Sequence, residues 1–185
     1  MIGRILLAVL LLLGAARPAP AGEPFDPVAV MIEGQQALAG GDFDGAAAIY
    51  DRALANPAVS DRYKVSFHVG RSQARALQRR PDLALADADA AVALADRSEP
   101  AIARGNVHAI RGFLLAGLGR RAEAASDLEA ASTLLQSPDD DYAALLTEMM
   151  KSRPDQMEAM RRQTATLLRT VKEKLAELRG QRQAP

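Results

Sequence analysis

Cysteine and tryptophan are both absent from this chain of 185 residues, and aromatic residues make up only 4% of it. Without cysteine there is no disulfide, no thiolate nucleophile and no thiolate-bound metal. An excess of one charge is missing too: 23 Lys and Arg face 23 Asp and Glu. Nothing in that balance draws the chain to nucleic acid or to anionic lipid. No stretch shows the sustained apolar–polar alternation of a strand, and no Asn-Gly or Asp-Gly turn joins two such stretches. A glycine-rich phosphate loop and a nucleophile elbow are likewise missing. Beyond the first residues no run is long and apolar enough to cross a bilayer.

What is present begins with residues 1 to 21, which read as a secretory signal peptide. Arg4 gives the positive start, Ile5 to Leu13 the apolar run, and Ala19-Pro20-Ala21 a small-x-small cleavage site before Gly22. The reading places the protein in the periplasm or outside the cell, with an uncleaved anchor as the alternative and no membrane insertion once the signal is removed. Removing 21 residues from the 185 leaves 164, and Arg4 and Arg17 leave with them, so 21 basic groups remain against 23 acidic ones. A length of 164 suffices for a continuous core.

The rest is rich in Ala, Leu and Arg, and its periodicity is helical. Asp26-Pro27 is a helix start, because Asp caps free amides and Pro lacks an N–H that the first turn would leave unpaired. The pattern predicts six helices in three pairs. The first pair runs from Pro27 to about Ala39 and from Phe43 to about Ala55, with Gly40-Gly41-Asp42 as its turn and Asn56-Pro57 as its stop. The second runs from Ser60-Asp61 to about Arg79, with an inner stripe of Phe67, Gly70, Ala74 and Leu77, and from Leu83 to Ala95. Ser98-Glu99-Pro100 breaks the chain, and the third pair runs from Ala101 to about Leu118 and from Arg121 to Leu135. Pro138 with Asp139 to Asp141 predicts a further short helix. Asp155 to Arg179 predicts a long one with a narrow stripe of Met157, Met160, Thr164, Leu168, Val171, Leu175 and Leu178.

The pairs repeat. Midway along each first helix stand Gly34, Ala74 and Gly112. Twelve residues on come Ala46, Ala86 and Ala124, and seven further on Ala53, Ala93 and Ala131, with offsets of 40 and 38 residues between units. Small residues at these points permit close helix crossings. With Gly41-Asp42-Phe43-Asp44 as the turn and Tyr50 in the aromatic place of the first unit, the pattern resembles the tetratricopeptide repeat. Departures accompany it. The place of the family's tryptophan holds Val30, Gly70 and His108, and that of its leucine holds Glu33, Gln73 and Arg111. The resemblance implies an all-α protein: a short right-handed α-solenoid of about three hairpins, at about 27–57, 61–97 and 101–135 within a repeat domain of 22–137. Residues 138–185 would then cap the array, since an array must cover its exposed apolar end. Self-association through residues 155–179, or attachment there as a non-catalytic subunit of an envelope complex, is the competing use of that last stripe.

No enzyme is visible. The two histidines, His68 and His108, fall at places that differ in this alignment. Asp87 and Asp89 stand two apart on one helix and cannot share a face. Asp139 to Asp141 lack the glycine turn and distal Glu of a calcium loop. The expectation is therefore a protein without cofactor or metal that binds a protein or peptide. In proteins similar to this one the first helices line the concave side. Here that side would offer Met31, Gln35 and Leu38, then His68, Arg71, Arg75 and Gln78, then Asn106, Ala109 and Phe113. Arg71 and Arg75 form a basic ridge whose forks suit carboxylates. The ridge predicts a partner peptide with acidic side chains or a free terminal carboxylate, against the plainer reading of a solvated helix face.

Overall fold

The computed structural model of the protein describes residues 25–136 and 154–180. The signal-peptide segment and the short helix expected from Pro138 lie outside those residues. Seven helices and no strand occur among the described residues: α1 Pro27–Ala39, α2 Phe43–Leu54, α3 Asp61–Leu77, α4 Pro81–Ser98, α5 Ala101–Gly117, α6 Arg121–Gln136 and α7 Pro154–Gly180. The protein is all-α. None of these helices is long and apolar enough to cross a membrane. The chain divides into two compact units, Met1–Leu94 and Ala95–Pro185.

Local chemistry sets the helix ends close to where the sequence puts them. Asp26 Oδ1 accepts from the amides of Val28 at 2.9 Å and Ala29 at 3.2 Å, with Pro27 in the first turn. Asp42 Oδ1 accepts from Gly45 N at 2.9 Å and opens α2. The turns after α1, α3 and α5 are built alike. Asp42 N bonds Ala37 O, Arg80 N bonds Arg75 O, and Arg120 N bonds Leu115 O, each at 2.9 Å. Each turn passes through one residue of positive φ: Gly41 at 82°, Arg79 at 60° and Gly119 at 74°. That is the Schellman ending of a helix, which favours glycine at its left-handed position. Arg79 holds it at a steric cost, and α3 stops two residues short of the expected Arg79 because the backbone reverses there.

In the first unit, Tyr50 and Phe67 lie at the centre, almost wholly buried, among Leu38, Ala46, Ala47, Ala53, Val59 and Ala74. Burial of each large side chain contributes ~1.5–3 kcal/mol. A Cβ at Gly34 of α1 or at Gly70 of α3 would overlap the Tyr50 ring, so two glycines make the slot that it fills. Burial pushes the Tyr50 hydroxyl up to about 12, against a hydrogen bond with Gln35. Phe67 also meets Phe25 edge-on at 6.4 Å and stacks on Tyr63 at 6.5 Å. The expected stripe of α3 holds at Phe67, Gly70 and Ala74 but not at Leu77, which is 44% exposed.

In the second unit, α5 packs on α6 and α6 on α7. Val107, Ala109 and Leu115 of α5, Ala124, Leu128, Ala131 and Leu135 of α6, and Val171, Leu175 and Leu178 of α7 are buried. Lys172 Nζ reaches Gln136 Oε1 at 3.1 Å and Arg179 reaches Glu129 at 2.9 Å, pinning α7 along α6. The C-terminal half of the long stripe is thus spent inside the chain, while Met157, Met160, Thr164 and Leu168 are half-buried.

The crossing register corrects the sequence alignment of the second hairpin. Ala86 and Ala93 are exposed; the buried small residues are Ala84 and Ala91, two places earlier. The residue facing them is Ser72, fully buried, whose Oγ donates to Ala84 O at 2.7 Å. Gly112 stands in the same relation to Ala124, whose carbonyl oxygen would lie 3.3 Å from an added Cβ. The aligned sets are therefore Gly34, Ser72 and Gly112; Ala46, Ala84 and Ala124; Ala53, Ala91 and Ala131. The left-handed turn residues Gly41, Arg79 and Gly119 keep the same spacing. Ala74 is buried too, but in the Tyr50–Phe67 cluster shared with α2. A helix packed on two sides carries two small-residue stripes, and periodicity alone does not say which one faces the partner within the hairpin.

Candidate functional site

His68, Arg71 and Arg75 are three and four residues apart on α3, so they share one face. That face meets Asp87 of α4, whose side chain is 3% exposed. His68 Nδ1 lies 3.0 Å from Asp87 Oδ1. Arg71 donates to the same carboxylate from Nε at 3.0 Å and from its terminal nitrogen at 2.6 Å, and Arg75 at 2.7 Å. The remaining forks turn to Asp51 of α2, with Arg71 at 2.5 Å and Arg75 at 3.6 Å. An ionised carboxylate offers about four lone-pair sites, and Asp87 uses them on these donors. Burial raises the Asp87 carboxyl, but the bonds from His68 and Arg71 and the charges of Arg71 and Arg75 outweigh it and hold it below the ordinary range. Burial also works against the Arg71 charge, and Asp87 and Asp51 overcome it, leaving the guanidinium more firmly protonated than usual.

The second unit carries a counterpart. His108 Nδ1 lies 2.9 Å from Asp127 Oδ1, and Arg111 grips the same carboxylate with Nε and a terminal nitrogen, both at 2.6 Å. His108 Nε2 lies 3.2 Å from Asp96, which Arg104 also approaches at 3.3 Å. Asp127 is buried, which raises its carboxyl, yet the bonds and charges of His108 and Arg111 hold it low. The two histidines therefore occupy one and the same place in their hairpins, forty residues apart, contrary to the sequence alignment. In the corrected register His68 rather than Gly70 aligns with Val30 and His108, and Arg71 rather than Gln73 aligns with Glu33 and Arg111.

The expected groove residues fall into two groups. His68, Arg71 and Arg75 come together, but on the chain's own acids, with the arginine side chains only 16% and 20% exposed. They are neither an open basic ridge nor a solvated face. Gln78 reaches back to Phe43 O at 3.2 Å and Asp44 Oδ1 at 2.6 Å, and its Oε1 is buried without a partner. It lines a polar recess of about 340 Å³ with Gly41, Asp42, Phe43, Asp44 and Arg80. Gln35 is engaged with Tyr50, and Met31 packs at the edge of the Tyr50–Phe67 core. Asn106 and Phe113 are half-buried on α5.

The acids Asp51, Asp87, Asp96 and Asp127 did not emerge as partners of these cations from the sequence. A signal for two of them exists: His, then Arg three residues on, then Asp sixteen residues after that, written twice forty residues apart. Chemically, the clusters tie helices together. Their carboxylates are occupied, and no group of three or more His, Cys, Asp or Glu arranged to hold a metal occurs among the described residues. No protein-family model and no curated protein matches this chain.

Proposed function

We propose that this protein is an exported, non-enzymatic scaffold of the cell envelope, built from three tetratricopeptide-like hairpins, that binds a protein or peptide through its first helices. The observation that carries the reading is the repeated spacing of buried small residues: Gly34, Ser72 and Gly112 stand twelve residues before Ala46, Ala84 and Ala124, with Ser72 on Ala84 and Gly112 on Ala124 in contact, and each of the three first helices has the same ending. Repeats of one hairpin unit bury a shared core and leave a graded surface, which suits binding more than catalysis. The ion-pair clusters support it by stiffening the hairpins, so less order is lost when a partner docks. The engagement of Arg71 and Arg75 with Asp51 and Asp87 moves the recognition surface away from them. Within the first unit Met31 on α1, and within the second Asn106 and Phe113 on α5, each taken by itself, are the residues we assign to partner contact. Self-association through α7 is less favoured, because Val171, Leu175 and Leu178 are already buried in the second unit.

A photo-crosslinking side chain placed at Met31 or Phe113 of the full chain in its native cell tests this. One discrete adduct of the same mass is expected from both positions and none from Ala86 or Ala93, which lie exposed on α4. Adducts that are absent, or equal at all four positions, overturn the reading. Amino-terminal sequencing of the same material checks the export step, with Gly22 expected as the first residue.

A further inference from the structure

Both ring nitrogens of His108 face carboxylate oxygens, Nδ1 toward Asp127 at 2.9 Å and Nε2 toward Asp96 at 3.2 Å. An ionised carboxylate only accepts, so both contacts are hydrogen bonds only when both nitrogens carry hydrogen. A neutral ring keeps one bond and points a lone pair at the other carboxylate. His68 differs: its contact is a single one, Nδ1 to Asp87, which a neutral ring with hydrogen on Nδ1 satisfies.

We propose that His108 is a proton-operated clasp that, as imidazolium, ties the last turn of α4 to the α5–α6 hairpin and, once deprotonated, releases Asp96. The released bond is the one to Asp96 because Asp127 is the more deeply buried acid, and an unmet contact costs more there. Asp127 also keeps the Arg111 fork, whereas the other cation on Asp96 is Arg104 at 3.3 Å. The junction has little else from its cap: Pro100 stands before α5 and offers no side-chain bond, and the first turn of α5 has no acid. The charged groups around the ring are Asp96 from α4, Arg104 and Arg111 from α5, and Asp127 with its neighbour Glu123 from α6. The hydrogen bond to Asp127 lifts the imidazole above its ordinary 6.5; burial opposes this, and Asp96 adds to the rise. A raised value means that the clasp is complete below about 6.5 and opens as pH climbs through the raised value.

The chain has two histidines, so the labelled full-length protein gives two ring signals to follow by NMR. The comparison uses the natural protein, Asp96→Asn and His68→Gln, with amide exchange read over residues 97–104 and corrected for its intrinsic pH dependence. In the natural protein, exchange there is expected to rise about tenfold across the His108 midpoint, the effect of losing one hydrogen bond between charged groups. Asp96→Asn, at a side chain that is 41% exposed, should lower that midpoint and abolish the step. His68→Gln should leave the step in place. An unchanged His108 midpoint in Asp96→Asn, no step in the natural protein, or a step lost in His68→Gln each overturns the proposal. The outcome does not depend on whether the partner-binding reading holds.

Discussion

Between α3 and α4 two arginines and a histidine converge on one carboxylate, whereas one histidine of α5 is shared by two carboxylates, Asp127 of α6 and Asp96 at the end of α4. The two sites keep the same His, Arg and Asp at the same spacing. They differ where Arg75 of the first becomes buried Leu115 in the second. In the first, a second guanidinium completes the shell of Asp87, and His68 has one contact to satisfy. In the second, the histidine itself spans two acids, so its proton decides how many bonds exist. The loss of Arg75 and the gain of Asp96, where the first site has Asn56, thus separate a tie made by two arginines from one in which the proton of a histidine counts.

The largest expected effect lies in removing the shared carboxylate. Asp87→Ala takes a buried acceptor from three half-buried cationic or polar groups, and a loss of about 3 kcal/mol is expected in urea unfolding. Asp127→Ala should cost less, because only His108 and Arg111 lose a bond to it. Equal losses would erase the distinction between the sites. Next come the crossings. Gly34→Ala drives a methyl into the Tyr50 ring, and ~1–3 kcal/mol of overpacking is expected. Gly112→Ala meets Leu128 Cγ at 2.8 Å, a milder overlap than that with the Tyr50 ring, so its loss in thermal unfolding should be smaller.

Acid unfolding sharpens the comparison further. Both Asp87 and Asp127 are held below the ordinary 3.8, so their contributions are present above that value and lost as pH falls through the lowered ones. Removing Arg75, as in Arg75→Leu, should raise the pH at which the first unit unfolds, because Asp87 then loses one of the charges that hold it low. A circular-dichroism titration checks this, and an unmoved acid midpoint would contradict the role given to Arg75. The smallest effect is at the turns. Arg79→Gly relieves a left-handed backbone and should stabilise by about 1 kcal/mol, while Gly119→Ala, the reverse change at the equivalent turn, should destabilise by a similar amount.

The helix ends were legible because their causes are local. Asp26, Asp42, Pro27 and Gly41 act on amides and carbonyls within a few residues, and the observed boundaries of α1, α2, α5 and α6 follow them to within one residue. Hairpins one and three were also legible in register, since Gly34 and Gly112 are the small residues that face their own second helix. The second hairpin was not. Its crossing residue is Ser72, a polar residue whose hydroxyl is satisfied only by a carbonyl on α4. Ala74, the more obvious candidate, faces the neighbouring hairpin. The candidate site was half legible: Arg71 and Arg75 stood out as a ridge, but their acids lie 12 to 24 residues away on two other helices.

By itself, then, the sequence determined an all-helical chain, the ends of its helices and the small residues that allow close crossing, because propensity, capping and period act over a turn or two. The tertiary structure decided which stripe of α3 meets which neighbour, and with it the union of His68 with Asp87 and of His108 with Asp127. A period of 3.6 residues assigns each side chain to a face of its helix. Only packing assigns that face to another helix, and ion pairs between helices form after that assignment is made.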